Sequence, residues 1–234
     1  MILTAHQPVY LPWLGLFHKI ALADVFCIFD IAQYIKSDFN NRNKIKTPDG
    51  GMFLTVPVNS HGRFEGQIKN TMIANKEWAR QHFKAIYFNY KKAPFLDDYM
   101  DDLENIYLGR EYEYLIDLNT TMLYYFLKKL NIKTKIITAS DYDFSGKKSE
   151  LVLDMCTKLE AKKIIFGSHG KDYVDINSFR ENEVETIFQE YVHPTYNQLF
   201  PINGFVPYMS IIDLLFNEGD GSKDILMSGN IHKV

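Results

Sequence analysis

Cysteine is scarce in this chain: Cys27 and Cys156 are the only two in 234 residues. Both lie inside apolar segments and neither has a neighbour at metal-ligand spacing. A disulfide scaffold and a structural zinc are therefore not expected, and a reducing compartment is. The opening residues, MILTAHQP, carry no basic leader, and no apolar run reaches 18 residues. Neither a signal peptide nor a membrane span is expected, which makes the cytoplasm the expected location. Charge of one sign is not in excess either. The net charge is −3, and basic runs are as short as Lys128-Lys129 and Lys162-Lys163, so nucleic acid is not an expected partner. Internal repeats and low-complexity segments are also missing.

What the chain does have is length for a full hydrophobic core and many aromatic side chains. Tyrosine and phenylalanine number 15 and 17, enough to fill a core and still line a ligand pocket with polar-tipped rings. MILTAHQP begins as a strand, and Pro8 and Pro12 end it and delay the next element. WLGLFHKIALA then spaces Trp13, Leu14, Phe17, Ile20 and Ala21 as one helix face, and DVFCIFD reads as a buried strand. Strand, loop, helix and strand within about 30 residues make a parallel βαβ unit.

Further along, Pro48-Asp49-Gly50-Gly51 is a turn between two strand-like runs, predicting a hairpin from about Asn43 to Val58. QIKNTMI reads as a short strand. Helices are predicted at Lys76–Tyr90, Phe95–Tyr107 and Asp117–Leu130, the last capped by Asp117 or Asn119. Strands at Thr134–Ser140 and Lys162–Ser168 flank a helix opened by Ser145 or Ser149. The expected fold is α/β: a mostly parallel, Rossmann-like sheet flanked by helices, with an inserted β-hairpin and a helical segment. It forms one domain over residues 1–219, with the hairpin insertion at about 40–75 and the helical segment at about 76–130. Residues 220–234 are expected to be a tail or lid after the linker-like NEGDGSKD.

In open α/β sheets ligands bind beyond the carboxyl ends of the strands, and helix N-termini there favour anions. The first such loop carries His6, Gln7, Tyr10 and Trp13, and its helix carries Gly15, His18 and Lys19. After the second strand come Asp30, Gln33 and Tyr34, then Arg42, Asn43 and Lys44, a bidentate fork and a point charge suited to phosphate or carboxylate. Gly167 and Ser168 follow a buried strand. Tyr191, His193, Tyr196 and Gln198 suit a sugar or base pocket, and Ser210 and Asp213 are spaced either as a helix cap or as ligand contacts. His6, His18 and Asp30 lack a metal-binding spacing, so no resident metal is expected.

HQPVYLPWLGLFHKI, DVFCIFDIAQYIKSDFNNRNKIK, LTVPV, FGSHGKDYV, YVHPTYNQLF and MSIIDLLFNEG together resemble the WbqC-like family, over Ile2 to Gly219. The resemblance implies a role in bacterial surface polysaccharide, especially O-antigen (lipopolysaccharide), biosynthesis. The first loop is also reminiscent of nucleotidylyl transferases, which follow strand one with Pro-x-His-x-Gly-His. Here Tyr10 and Trp13 stand at the two histidine positions and Pro12 at the glycine. The expected function is a transferase that activates a small acid or amino acid as an acyl adenylate, with ATP and Mg²⁺ as cofactors, and transfers it to a nucleotide-linked amino sugar. In this reading His18, Lys19, His6 and Arg42 are catalytic and pool around one anionic guest. The alternatives are a nucleotide-sugar-modifying transferase without acid activation and a non-catalytic binding partner of a polysaccharide assembly complex. The sequence leaves the oligomeric state open.

Overall fold

The computed structural model describes residues 1–59 and 66–229. Five strands form one parallel sheet: β1 (Ile2–His6), β2 (Val25–Ile28), β5 (Lys135–Thr138), β6 (Lys163–Phe166) and β7 (Glu185–Phe188). Their spatial order is β5-β2-β1-β6-β7. β1 is central, pairing Leu3 with Val25 on one side and with Ile164 on the other. Between β2 and β5 the chain inserts a separate antiparallel hairpin, β3 (Arg42–Thr47) with β4 (Gly50–Thr55), and three helices, α2 (Glu77–Tyr90), α3 (Asp97–Tyr107) and α4 (Leu115–Lys129).

This is the order of a doubly wound sheet. From β1 the chain steps to β2 and β5 in one direction, then returns to the other side of β1 for β6 and β7. Right-handed crossovers therefore put α1 (Leu14–Ala21) on one face and α5 (Ser149–Lys158) and α6 (Ile176–Glu181) on the other. Strand residues alternate accordingly. Phe26 and Ile28 join the larger core with α1, the inserted helices and α7 (Ile211–Glu218); Val25 and Cys27 join the smaller core with Met155, Cys156 and Phe179. Both cysteines are buried thiols, and burial raises each to a pKa of about 12.

The expected α/β architecture and the hairpin are present, with several local differences. QIKNTMI contains a 3-10 turn at Ile68–Asn70 instead of a strand, held by Ile68 N–H to the Ala32 carbonyl and Lys69 N–H to the Asp30 carbonyl. α4 starts two residues before Asp117, so Asn119 lies inside the helix and donates to the Asn40 carbonyl instead of capping. α8 (Ser222–Ser228) buries Leu226 in the larger core, so this part of the 220–234 segment is packed structure, not a free tail. No described helix is long and apolar enough to cross a membrane.

Candidate functional site

The strand order reverses between β1 and β6, which opens a crevice at their carboxyl ends. His6 ends β1, and the two-proline loop beyond it is held from three sides. Tyr10 N–H donates to the Phe39 carbonyl (3.1 Å). Asn40 Nδ2 donates to the Pro8 carbonyl (2.9 Å) and to Gln7 Oε1 (3.2 Å), and Asn43 Nδ2 donates to the Leu11 carbonyl (2.6 Å). Ile211 N–H, from the start of α7, donates to the Pro12 carbonyl. The side-chain amides of Asn40, just before the hairpin, and of Asn43, on β3, supply donors to the loop carbonyls. Trp13 is thereby set between His6 and Phe39, its ring 5.4 Å from each.

Two adjoining lobes occupy the crevice, of about 750 and 620 Å³, and both are bounded by His6, Trp13, Phe166, His169 and Tyr173. The first extends to the α5 side and adds Gln7, Asp38, Asn40 and Lys148. The second extends to the α1 side and adds Gly15, Lys19, Ser168, Tyr191, His193 and Tyr208. His6 is therefore the shared wall between them. Its Nδ1 lies 2.8 Å from the Gln7 carbonyl. A carbonyl can only accept, so Nδ1 carries the proton and Nε2 is the ring's acceptor. Burial, with the Lys19 charge adding to it, lowers its pKa to about 3, so the ring is neutral at physiological pH. Lys19 is 3% exposed and donates to the Ala5 carbonyl at 3.0 Å. Burial lowers its pKa to about 8.

The WbqC-like protein family model matches residues 7–225. The chain belongs to that family. Among curated relatives, uncharacterized protein Rv1507c of Mycobacterium tuberculosis (strain ATCC 25618 / H37Rv) is 37% identical over 221 residues, covering 94% of this chain and 95% of that one. No solved structure matches significantly.

Of the residues singled out from the sequence, this WbqC-like chain brings His6, Gln7, Trp13, Gly15, Lys19, Gly167, Ser168 and Tyr191 to the cleft. His18 lines neither lobe. It is fully buried behind them, its Nδ1 accepting from Gln189 Nε2 (2.8 Å) and its ring 4.8 Å from that of Tyr191. Tyr10 is a core residue whose hydroxyl meets Tyr107 and His82. Asp30 accepts from Ser140 N–H, and Gln33 pairs with Gln67. Arg42 lies over the Phe53 ring and, with Tyr34, bounds a separate hollow of about 220 Å³. Lys44 shares the Phe53 ring, and Asn43 is committed to Leu11. The expected convergence of His18 and Arg42 on one guest is thus not what the geometry shows. α1 turns His18 inward, and the hairpin carries Arg42 to a different hollow.

Tyr196, Gln198 and Asp213 are brought together, but inside the protein. The buried Asp213 carboxylate accepts from Tyr90 Oη (2.8 Å), Tyr196 Oη (2.7 Å) and Gln198 Nε2 (2.6 Å). Gln198 Oε1 in turn accepts from the buried Lys46 Nζ (2.9 Å). Ser210 stands at the N-cap of α7 and its side chain makes no cap bond; the Asp213 N–H donates to the Ser210 carbonyl instead, and the Asp213 carboxylate lies in this network. The knot ties the hairpin, α2, α7 and the segment before α7. Cleft residues not expected from the sequence include Phe39, Asp38, Asn40, Lys148, Tyr173, Gln189, Glu190 and Tyr208. Gln189 had one available signal, a polar residue at the end of a strand, but β7 itself went unread.

Proposed function

We propose that this WbqC-like protein is an enzyme of bacterial surface-polysaccharide biosynthesis. In this reading it uses ATP to activate a small acid or amino acid and transfers the acyl group to an amino sugar. The observation that carries the reading is the two-lobed cleft at the switch point of a doubly wound sheet, where such sheets bind nucleotide-type ligands. One cleft with a shared wall suits two substrates that must meet. ATP supplies the activation, with pyrophosphate as the leaving group, and Mg²⁺ would enter on its phosphates; Asp38 is the carboxylate that lines the α5-side lobe.

The protein's own part is positioning and electrostatics. His6 Nε2, kept as an acceptor by the bond from Nδ1 to Gln7, takes the hydrogen bond of an attacking sugar amine and holds its lone pair toward the acyl carbon. The new C–N bond forms as the acyl C–O bond breaks, AMP departs, and the amine proton leaves by way of the His6 acceptor. Trp13, against His6 and on the lining of both lobes, shields the reacting atoms from water. Arg42 has no part in this site.

Calorimetry with ATP, with and without Mg²⁺, followed by assay of pyrophosphate release across small acids and amino acids, tests the reading. Release that requires both ATP and a specific acid supports it. A protein that binds no nucleotide overturns it.

A further inference from the structure

The α1-side lobe contains a charge that the protein leaves without a counter-ion. Lys19 is almost wholly buried and bounds the lobe, yet among the described residues it makes no ion pair; its ammonium has one bond, to the neutral Ala5 carbonyl. An ammonium buried this way is unfavourable unless a negative partner arrives. The one carboxylate on the walls of this lobe, Glu190, is paired with Lys171. The neighbouring His6 is kept neutral, which avoids a second positive charge but supplies no negative one. Rings also line this lobe, among them Trp13, Tyr191, His193 and Tyr208. His193 Nδ1 faces the Pro194 carbonyl, which leaves its buried Nε2 an acceptor without a partner.

We propose that this lobe is the subsite for a ring-bearing anion: Lys19 pairs with a phosphate or carboxylate of the ligand, and Trp13, Tyr191 and Tyr208 stack on the ring that carries it. The inference deepens the reading of the cleft as a substrate site and rests on it. The two sources of such an anion in that reading are the nucleotide and the sugar phosphate. The ammonium, held down to about pKa 8 by burial alone, rises when an anion arrives. Binding near pH 8.5 therefore takes up a proton. The other ionisable groups on these walls, besides tyrosines, are His6, His169, His193 and Glu190. Burial lowers His6 and His193, so neither accounts for uptake in that range.

The test is calorimetry with four probes: AMP, adenosine, N-acetylglucosamine 1-phosphate and N-acetylglucosamine. At least one phosphorylated probe should bind more tightly than its neutral counterpart, by about ten- to a hundred-fold for a charge-assisted contact. Which pair shows the difference identifies the source of the anion. Lys19→Met should erase that difference, and with it the proton uptake seen as a buffer-dependent heat near pH 8.5. Its thermal midpoint should stay level or rise, because the variant removes an uncompensated buried charge. The proposal is overturned if both phosphorylated probes bind no better than the neutral ones, if none of the four binds, or if Lys19→Met binds as the unaltered protein does. A fall in the Lys19→Met midpoint, with binding unchanged, would make the lysine structural. Phosphate-dependent binding without acid-dependent pyrophosphate release would keep this subsite and remove the acid-activation reading.

Discussion

Replacing Asp213 with Ala should be among the most damaging single changes outside the apolar core. Two buried hydroxyls, Tyr90 and Tyr196, lose the acceptor that both share. Gln198 Nε2 keeps its bond to the Val206 carbonyl at 3.0 Å, so it is not orphaned. At about 1–2 kcal/mol for each stranded hydroxyl, Asp213→Ala should lose about 2–4 kcal/mol. For a domain of this size that is a fall of roughly 4–16 °C in thermal midpoint. Asp213→Asn keeps the shape and one acceptor, and should lose about 1 kcal/mol near neutral pH. The two variants should also differ from the parent in pH response. Burial raises the Asp213 carboxyl above its ordinary value, against the hydrogen bonds and Lys46, which pull it down. A carboxyl whose folded pKa is raised binds its proton more tightly when folded. Its contribution is therefore fully present below the unfolded value of about 3.8 and is lost as pH rises through the folded value. Asp213→Asn, which cannot ionise, should lack that decline. Urea unfolding followed by circular dichroism from pH 4 to 8 measures both effects. An Asp213→Ala midpoint equal to that of the parent, or an Asp213→Asn pH slope identical to it, would refute the reasoning.

Other substitutions address the cleft and two close approaches. His6→Gln should lower product formation about a hundred-fold, the scale of a lost proton-handling group, while ATP affinity stays within about two-fold; comparing calorimetric affinity with turnover checks this. A Cβ on Gly15 would come within 3.2 Å of both Trp13 and Tyr191. Gly15→Ala should weaken ligands of the α1-side lobe several-fold while the helix gains up to about 1 kcal/mol in stability, so affinity and melting point should move in opposite senses. At Gly219, with φ +52°, a Cβ would lie 2.6 Å from the Phe95 ring. Gly219→Ala should cost about 2 kcal/mol, read by urea titration.

The first βαβ unit was legible because its elements are long enough to show a period and because Pro8 and Pro12 mark where the strand stops. The same prolines placed His6 at a strand end and Trp13 at the start of the helix that follows, which is why the cleft was found there. β7 was not legible. Its four residues, ETIF, begin with a charge and alternate too briefly to outweigh the loop-like residues before them. The short strand expected in QIKNTMI failed for a related reason: three residues curl into a 3-10 turn because two upstream carbonyls accept their N–H groups, a tertiary effect with no local signature. Asp213 looked like a cap partner or a ligand contact, since spacing cannot show which polar groups lie across the core. His18 and Lys19 are adjacent, yet the helix sends one behind the cleft wall and the other into it.

Thr4 on β1 donates its hydroxyl proton to the Ile165 carbonyl on β6, 161 residues away in sequence. The floor of the cleft is thus made of one strand synthesised at the outset and another synthesised late. Ribosome-bound chains shorter than about two thirds of the full length can pair β1 with β2 but have nothing to close against its other edge, which stays open to mispairing until β6 emerges. Ligand capture should accordingly begin only near the end of translation.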